Sequence, residues 1–347
     1  MVNVRVVNWR CIEDLELELT KLNIFMGKNS TGKSSLAHAI YFASKSRAYN
    51  PQLLITQLYG HGFDMVARSV EGKPQFPISV KIGDSEFSVQ KPYWLEFELS
   101  KPATSETELE ISKPTTSPWT DEFLLPSRRV GYFQFIIQLP KILQKILETE
   151  SIIQMLGIGS VFKSIGFPQF NMFVLDYIRS LTGLRLGFIG EMRDIGSYAV
   201  NIHPLFSLIE LTTQDPYTKL QLPAEISPDG FLDFSIFDSM TKNIPENSLV
   251  VIEEPEIHKN PRMVIDFANF IAERALDKKL TLIMTTHSDI LPIAIAKLVK
   301  EQKLRAEDAR IYYFKRDPWV KLSEIKFYED GTVDRLPDTE EVVSYLF

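Results

Sequence analysis

The stretch that decides the fold reads Gly27-Lys28-Asn29-Ser30-Thr31-Gly32-Lys33-Ser34. It fits the pattern G-x-x-x-x-G-K-[ST], in which glycines let the backbone curl so that its N–H groups point at a bound phosphate. Residues 22–26 form an apolar run typical of a buried strand, and residues 34–44 carry apolar side chains at helical spacing. Because strand, glycine loop and helix are the context that this pattern requires, we predict a phosphate-binding loop.

Two side chains of this loop have chemical tasks at a nucleotide. Lys33 is expected to project from the loop and to reach the β and γ phosphates as a point charge. Ser34 is expected to offer a hydroxyl to Mg²⁺, which prefers oxygen ligands. Between Lys21 and Phe63 the chain has five basic residues and no acidic one, so the local charge favours a polyanion. A glycine turn with a solvated lysine is the alternative, but it leaves the flanking strand and helix unexplained.

A second motif places adjacent carboxylates at the end of an apolar strand. The strand Leu249-Val250-Val251-Ile252 runs into Glu253-Glu254-Pro255-Glu256. Ligands of open α/β sheets bind at the carboxyl ends of the strands. We therefore predict that Glu253 holds Mg²⁺ through water and that Glu254 is the general base for the attacking water. A solvated acidic turn is the alternative interpretation.

A third motif, Thr285-Thr286-His287-Ser288, follows the apolar strand predicted at 280–284. This strand end is expected at the same sheet edge as Glu254, where an imidazole can contact the γ-phosphate. A lone histidine is more often structural, so the assignment of His287 depends on its place at the strand end.

Together these motifs resemble the ABC-type ATPases related to the RecF, SMC and OLD (overcoming lysogenization defect) families. Five segments of the chain are similar to family segments. They are Asn8-Trp9-Arg10-Cys11-Ile12 (the opening N-F-R-S-I), residues 27–34 (Walker A), residues 252–258 (an extended Walker B), residues 286–288 (the switch histidine) and residues 125–129 (a P-x-x-R segment of OLD-like members). With 60 residues after His287, the chain looks like an OLD-like ATPase that lacks a Toprim nuclease domain.

The resemblance implies a function and a set of site residues. It implies an ATPase that uses ATP and Mg²⁺, dimerises around ATP and acts on DNA or a partner protein in repair or defence. The catalytic residues would be Lys33, Glu254 and His287, and the metal residues Ser34 and Glu253. The nucleotide contacts would come from Arg10, Gly27, Lys28, Asn29, Ser30, Thr31, Gly32, Lys33, Ser34, Ser35 and Ser227.

One family segment is altered in this chain. The family's signature loop, which completes the partner subunit's site, resembles L-S-G-G-Q, whereas this chain has Ile226-Ser227-Pro228-Asp229-Gly230. The resemblance implies that Ser227, with a helix beginning after Gly230, points at the partner's γ-phosphate. A Ser-Pro-Asp-Gly turn is the alternative. The candidate for the family's glutamine loop is Gln134.

The resemblance and the strand and helix patterns predict an α/β fold of the P-loop ABC-ATPase type, in which helices flank a mixed sheet. Residues 1–132 would form an N-terminal lobe with Walker A and an antiparallel β meander. Residues 133–222, with helical spacing from Ile136 to Leu147, would form a mainly helical insertion. Residues 223–347 would form a C-terminal lobe with the altered signature loop, Walker B and the switch histidine.

Composition bounds the function further. With 44% hydrophobic and 24% charged residues over 347 positions, the chain is globular in composition. The net charge of −7 (38 basic, 45 acidic) repels nucleic acid, although residues 297–316 carry seven basic residues. The sequence contains no apolar run of about 20 residues, so no membrane partner is expected. The single cysteine, Cys11, fits a reducing cytoplasmic setting.

Two other functions stay open at this point. One is a nucleotide-gated interaction sensor with very slow hydrolysis, which the altered signature loop favours. The other is a kinase-like phosphotransferase, which shares the phosphate loop but leaves the acidic motif and His287 unexplained.

Overall fold

The computed structural model describes residues 1–90, 109–135, 169–181, 187–192, 196–203, 208–215 and 217–337. The chain forms two compact units. The first consists of Met1–Leu124, Pro245–Glu256 and Asn260–Phe347, and the second of Leu125–Ile244 and Ile257–Lys259. The first break along the chain falls after Leu124, and the lobe boundaries at residues 132 and 222 stay predictions.

The elements are numbered in chain order. The strands are β1 (Val2–Trp9), β2 (Ile12–Leu19), β3 (Leu22–Met26), β4 (Ser69–Val70), β5 (Lys73–Pro74), β6 (Ile78–Ile82), β7 (Ser85–Gln90), β8 (Glu110–Ser112), β9 (Glu122–Leu125), β10 (Gly187–Met192), β11 (Gly196–His203), β12 (Leu208–Gln214), β13 (Gln221–Pro223), β14 (Leu249–Glu253), β15 (Thr281–Thr286), β16 (Ala309–Arg316) and β17 (Val320–Ile325). The helices are α1 (Lys33–Lys45), α2 (Pro51–Tyr59), α3 (Phe170–Leu181), α4 (Asp229–Asn243), α5 (Pro261–Asp277) and α6 (Ile290–Lys300).

The first unit contains an antiparallel sheet in the order β2-β1-β6-β7-β8. β1 and β2 pair with Val4 opposite Leu17, and both of these side chains are buried. Apolar and polar residues alternate along both strands because one face of each strand packs on the core. β6, β7 and β8 are antiparallel neighbours and join the same sheet through β1.

A second sheet of the first unit has the order β17-β16-β3-β15-β14-β9. Within it β16, β3, β15 and β14 run parallel. Every residue of β3 and β14 is buried, as their continuous apolar sequences predict for strands that are covered on both faces. Because these strands are parallel, their carboxyl ends lie at one edge, which carries the glycine loop and the residues after β14 and β15. The mixed α/β fold class is thereby confirmed.

The second unit combines helices with an antiparallel sheet in the order β10-β11-β12-β13. The Tyr177 hydroxyl of α3 lies 2.9 Å from the Ser239 hydroxyl of α4. Between residues 133 and 222 the described residues contain helix α3 and the strands β10 to β12, and the mainly helical insertion stays a prediction. Residues 136–168, which carry most of the helical spacing, lie outside the described residues. Among the described helices, none is long and apolar enough to span a bilayer.

Buried charges hold the second unit together at Asp233 of α4. The Asp233 carboxylate accepts hydrogen bonds from Arg129 Nε at 2.5 Å and Nη2 at 2.9 Å, and it pairs with the Lys259 ammonium. All three side chains are buried. Burial alone raises the pKa of a carboxyl, but the positive charges of Arg129 and Lys259 outweigh it and hold the pKa of Asp233 below its usual value.

Replacing Asp233 is expected to cost much more stability than replacing an exposed ion-pair partner. Asp233→Asn leaves two buried cations without their anion, which typically costs about 3–5 kcal/mol. Glu246→Gln is the control, because its 3.2 Å pair with Lys279 is exposed and such pairs contribute about 0–1 kcal/mol. Urea unfolding followed by circular dichroism measures both free energies, and equal losses would contradict the prediction.

Candidate functional site

The glycine loop between β3 and α1 has the backbone that its sequence predicts. Gly27 and Gly32 have φ values of 142° and 103°, in the left-handed region that favours glycine. A Cβ on Gly27 would lie 2.6 Å from the carbonyl oxygen of Phe314, and one on Gly32 would lie 2.6 Å from Cγ2 of Val320. Both glycines are therefore required by conformation and by space.

Lys33 differs from its predicted position. Its side chain is buried, with 6% of the residue exposed, and does not project from the loop. The Nζ atom donates hydrogen bonds to the carbonyl oxygens of Gly27 at 2.7 Å and Lys28 at 2.8 Å. A buried ammonium group needs acceptors, and the curled loop presents carbonyl groups at the right distance. Lys33 therefore holds the loop as well as lying beside the place where phosphate would bind.

The structure brings Lys33, His287 and Glu254 together. Lys33 Nζ lies 3.3 Å from Nδ1 of His287, and Nε2 of the same ring lies 3.6 Å from Oε1 of Glu254. Since an ammonium group can only donate, its contact with Nδ1 is a hydrogen bond when the ring proton is on Nε2. That tautomer directs the imidazole N–H at the carboxylate of Glu254.

Glu254 leaves its strand in an uncommon conformation. It follows β14 directly with φ of 47°, a value that non-glycine residues seldom adopt. Its backbone N–H donates to the carbonyl oxygen of Thr285 at 2.9 Å, which fixes it against β15. Backbone strain of this kind concentrates at functional sites.

Glu256 is a positioning residue to which the sequence pattern assigns no role. Its Oε1 accepts hydrogen bonds from the Thr286 hydroxyl at 2.7 Å and from the His287 backbone N–H at 2.9 Å. Glu256 thus fixes the start of the segment that carries His287. The position of Glu256 in the acidic motif indicates that it lies near the site, but the spacing of residues does not reveal its hydrogen-bond partners.

Ser34 and Glu253 carry the oxygen groups that Mg²⁺ prefers, and Ser34 lines the cavity beside the loop. Glu253 is buried, and its Oε1 lies 3.1 Å from Nε2 of His38, at an angle outside hydrogen-bonding geometry. His38 and Ser34 are four residues apart on α1 and so share one face of that helix. Glu253 therefore faces the side of α1 that also carries Ser34, one helical turn away.

A cavity of about 540 Å³ adjoins the loop. Ligand pockets are typically about 300–1,000 Å³ in volume. The cavity is lined by loop residues 29–35, by Glu254, Thr285 and His287, and by Arg10, Cys11, Met65, Ala67, Ser69, Arg316 and Trp319. The predicted contact residue Arg10 thus reaches the same cavity as the loop.

Arg10 is fixed by an aromatic neighbour. Its guanidinium group lies 4.9 Å from the centroid of the Tyr59 ring. Burial raises the pKa of the Tyr59 phenol to about 12, although the charge of Arg10 acts in the opposite direction. Tyr59 is therefore neutral near pH 7 and serves Arg10 as an aromatic support.

Ser227 lies in the second unit and is buried. Its hydroxyl lies 2.6 Å from the Thr213 hydroxyl and donates to the Pro223 carbonyl oxygen at 3.0 Å. Helix α4 begins at Asp229, before the predicted start after Gly230. Gln134 donates to Asp229 Oδ1 at 3.4 Å. The contact of Ser227 with a partner's nucleotide remains a prediction.

The glycine loop, the acidic strand end and the histidine strand end define a P-loop fold of the ABC-ATPase type. A family model described as AAA ATPase domain matches residues 1–154. No curated protein matches the chain at a significant level.

Solved structures with a similar fold are SMC head domains. A structure of the SMC head bound to the C-winged helix domain of ScpA has 14% identity and a TM-score of 0.51, over 93% of this chain and 97% of that one. The SMC head domain from Pyrococcus furiosus bound to the C-terminal domain of ScpA has 12% identity, a TM-score of 0.48 and full coverage of both chains. The SMC head domain from Thermotoga maritima has 10% identity and a TM-score of 0.45, over 93% and 98%. The first of these supports the ABC-type fold.

Lys33→Ala is expected to weaken Mg-ATP binding by at least roughly tenfold, because a hydrogen bond to a charged group contributes about 1.5–3 kcal/mol. Calorimetric titration measures the affinity. Thermal unfolding of the variant and the wild type shows whether the loss of the hydrogen bonds to the loop carbonyl groups lowers the stability of the protein. Lys297→Ala is the control, since Lys297 is an exposed lysine of α6. Undiminished affinity in Lys33→Ala would contradict the phosphate-loop assignment.

Proposed function

We propose that this chain binds and hydrolyses ATP with Mg²⁺ as an ABC-type ATPase of the OLD-like kind. The observation that carries the proposal is the convergence of Lys33, His287 and Glu254 beside the glycine loop. A phosphate-binding loop alone fits any nucleotide-binding protein. A carboxylate and an imidazole in contact beside it add the groups that hydrolysis needs.

Each group has a role that follows from its position. The loop N–H groups and the first turn of α1 bind the phosphates, since a helix N-terminus carries partial positive charge. Lys33 exchanges its carbonyl partners for phosphate oxygens. Glu254 accepts a proton from the water that attacks the γ-phosphate. His287 directs its Nε2–H at the same place, where it can donate a hydrogen bond to the γ-phosphate. Ser34 and Glu253 would hold Mg²⁺, which would neutralise charge on the phosphates.

Glu254→Gln is expected to bind Mg-ATP but hydrolyse it at least about 100-fold more slowly, because the amide keeps the shape and loses the base. Single-turnover kinetics measure the chemical step directly. Glu329→Gln, a change of an exposed carboxylate outside the cavity, is the matched control. A wild-type rate in Glu254→Gln would transfer the role of base to Glu253 or His287.

Dimerisation around ATP is part of the same proposal. The site supplies phosphate and metal contacts from its own loop, and in the resembled family a second subunit covers the γ-phosphate. An SMC head domain with a similar fold is seen bound to a partner protein, ScpA, which supports a role for this fold in protein assembly. For this chain we propose a homodimer that acts on DNA or a protein in repair or defence in the cytoplasm.

Light scattering after size exclusion tests the dimer. Glu254→Gln with Mg-ATP is expected to have twice the mass of the nucleotide-free protein, because a ligand bound between subunits favours the associated state. Since Ser227 is buried, the surface beside it is better tested at Ile226, which is 65% exposed. Added to Glu254→Gln, Ile226→Arg is expected to abolish the dimer. A mass of Glu254→Gln that does not change with Mg-ATP, or a dimer that persists in the double variant, would contradict the proposal.

A sensor with very slow hydrolysis is the second candidate. It is favoured by the hydroxyl of Ser227, which is engaged by Thr213 and Pro223 within its own subunit. Steady-state turnover separates the two functions. A salt series with double-stranded DNA shows whether DNA stimulates the activity, since phosphate contacts weaken steeply as salt rises.

A further inference from the structure

The hairpin of β16 and β17 is fixed against the glycine loop. Arg316 Nη1 donates to the carbonyl oxygen of Ser30 at 3.2 Å, and the Val320 backbone N–H donates to the Cys11 carbonyl oxygen at 3.1 Å. Trp319 lies between these two anchors and lines the cavity. The hairpin therefore forms a wall of the cavity, and Trp319, the aromatic residue of its turn, lies at the surface of that wall.

Trp319 is held in place by a charged neighbour. The guanidinium group of Arg68 lies 4.6 Å from the centroid of the indole ring. Arg68 is fixed in turn by Glu13, 2.9 Å from Nη1, and by Asn8, whose Oδ1 accepts from Nε at 2.9 Å. A cation held over one face of an indole orders the ring. An ordered aromatic ring at a cavity wall loses little conformational entropy when a flat ligand stacks on it.

The strand order places Trp319 away from the hydrolytic groups. β16 lies on one side of β3, and β15 and β14 lie on the other. His287 and Glu254 follow β15 and β14, whereas Trp319 follows β16. A nucleotide whose phosphates lie on the loop after β3 and whose terminal phosphate faces His287 therefore has its base on the side of Trp319.

We propose that Trp319 is the platform on which the base of the bound nucleotide stacks. This inference rests on the proposed ATPase function and adds the residue that recognises the base. Met65 and Ala67 line the same cavity with apolar groups, as a flat aromatic ligand requires. Stacking accepts every base, and its strength grows with ring area, so the platform favours purine over pyrimidine nucleotides.

Calorimetric titrations with Mg-ATP, Mg-CTP and inorganic triphosphate test the platform. Trp319→Ala is expected to weaken Mg-ATP binding by about tenfold or more, the scale of losing one base–aromatic stack. The affinity of the same variant for triphosphate is expected to equal that of the wild type. The ratio of its affinities for Mg-ATP and Mg-CTP is expected to be smaller than in the wild type. Trp319→Phe, which keeps a ring, is expected to stay within about threefold of the wild type for Mg-ATP.

Tyr217→Ala is the matched control, because this aromatic side chain is 88% exposed and lies in the second unit. Equal losses of ATP and triphosphate affinity in Trp319→Ala would overturn the platform and show a merely structural role. Unchanged ATP affinity would also overturn it, while Lys33→Ala would still test the phosphate loop. Absence of ATP binding by the wild type would overturn the proposed function itself.

Discussion

The candidate site depends on the contacts that the buried ammonium group of Lys33 makes. It holds two carbonyl groups of the glycine loop and contacts His287, so one charge joins the loop after β3 to the end of β15. His287 extends this connection to Glu254 at the end of β14. Because a buried cation without acceptors is costly, the loop, the histidine and the carboxylate are expected to form as one arrangement.

This arrangement needs the register of the parallel strands. Thr286 of β15 lies opposite Met26 of β3, and Glu253 of β14 lies opposite Thr285 of β15. The next residues along each strand are Gly27, His287 and Glu254, so the three leave the sheet at nearly the same level. A shift of one residue in β14 would turn Glu254 to the other face of the sheet. The apolar side chains that fix the register in the core thus also fix the chemistry at the edge.

Sequence reasoning succeeds here where the signal is local and fails where it is not. The glycine loop and the strands before Glu253 and His287 are encoded by short patterns, and the structure contains them. The direction of the Lys33 side chain is not in the pattern, because spacing does not say whether an ammonium meets solvent or a carbonyl. The contact between Trp319 and Arg68 joins residues far apart in the chain, so no local periodicity indicates it. No strands were predicted at β10 to β12, although Tyr198, Val200 and Ile202 alternate with smaller or polar residues along β11.

The acidic motif and the histidine motif depend on each other physically, which explains why each residue type stands where it does. Glu254 turns out of the strand with a left-handed φ while its N–H still bonds to the neighbouring strand. Pro255 follows without an N–H group that would need a partner. Glu256 then returns to accept from the Thr286 hydroxyl and the His287 N–H. The acidic segment therefore positions the histidine, and the histidine strand holds the acidic segment, so a change in either motif is expected to disturb both.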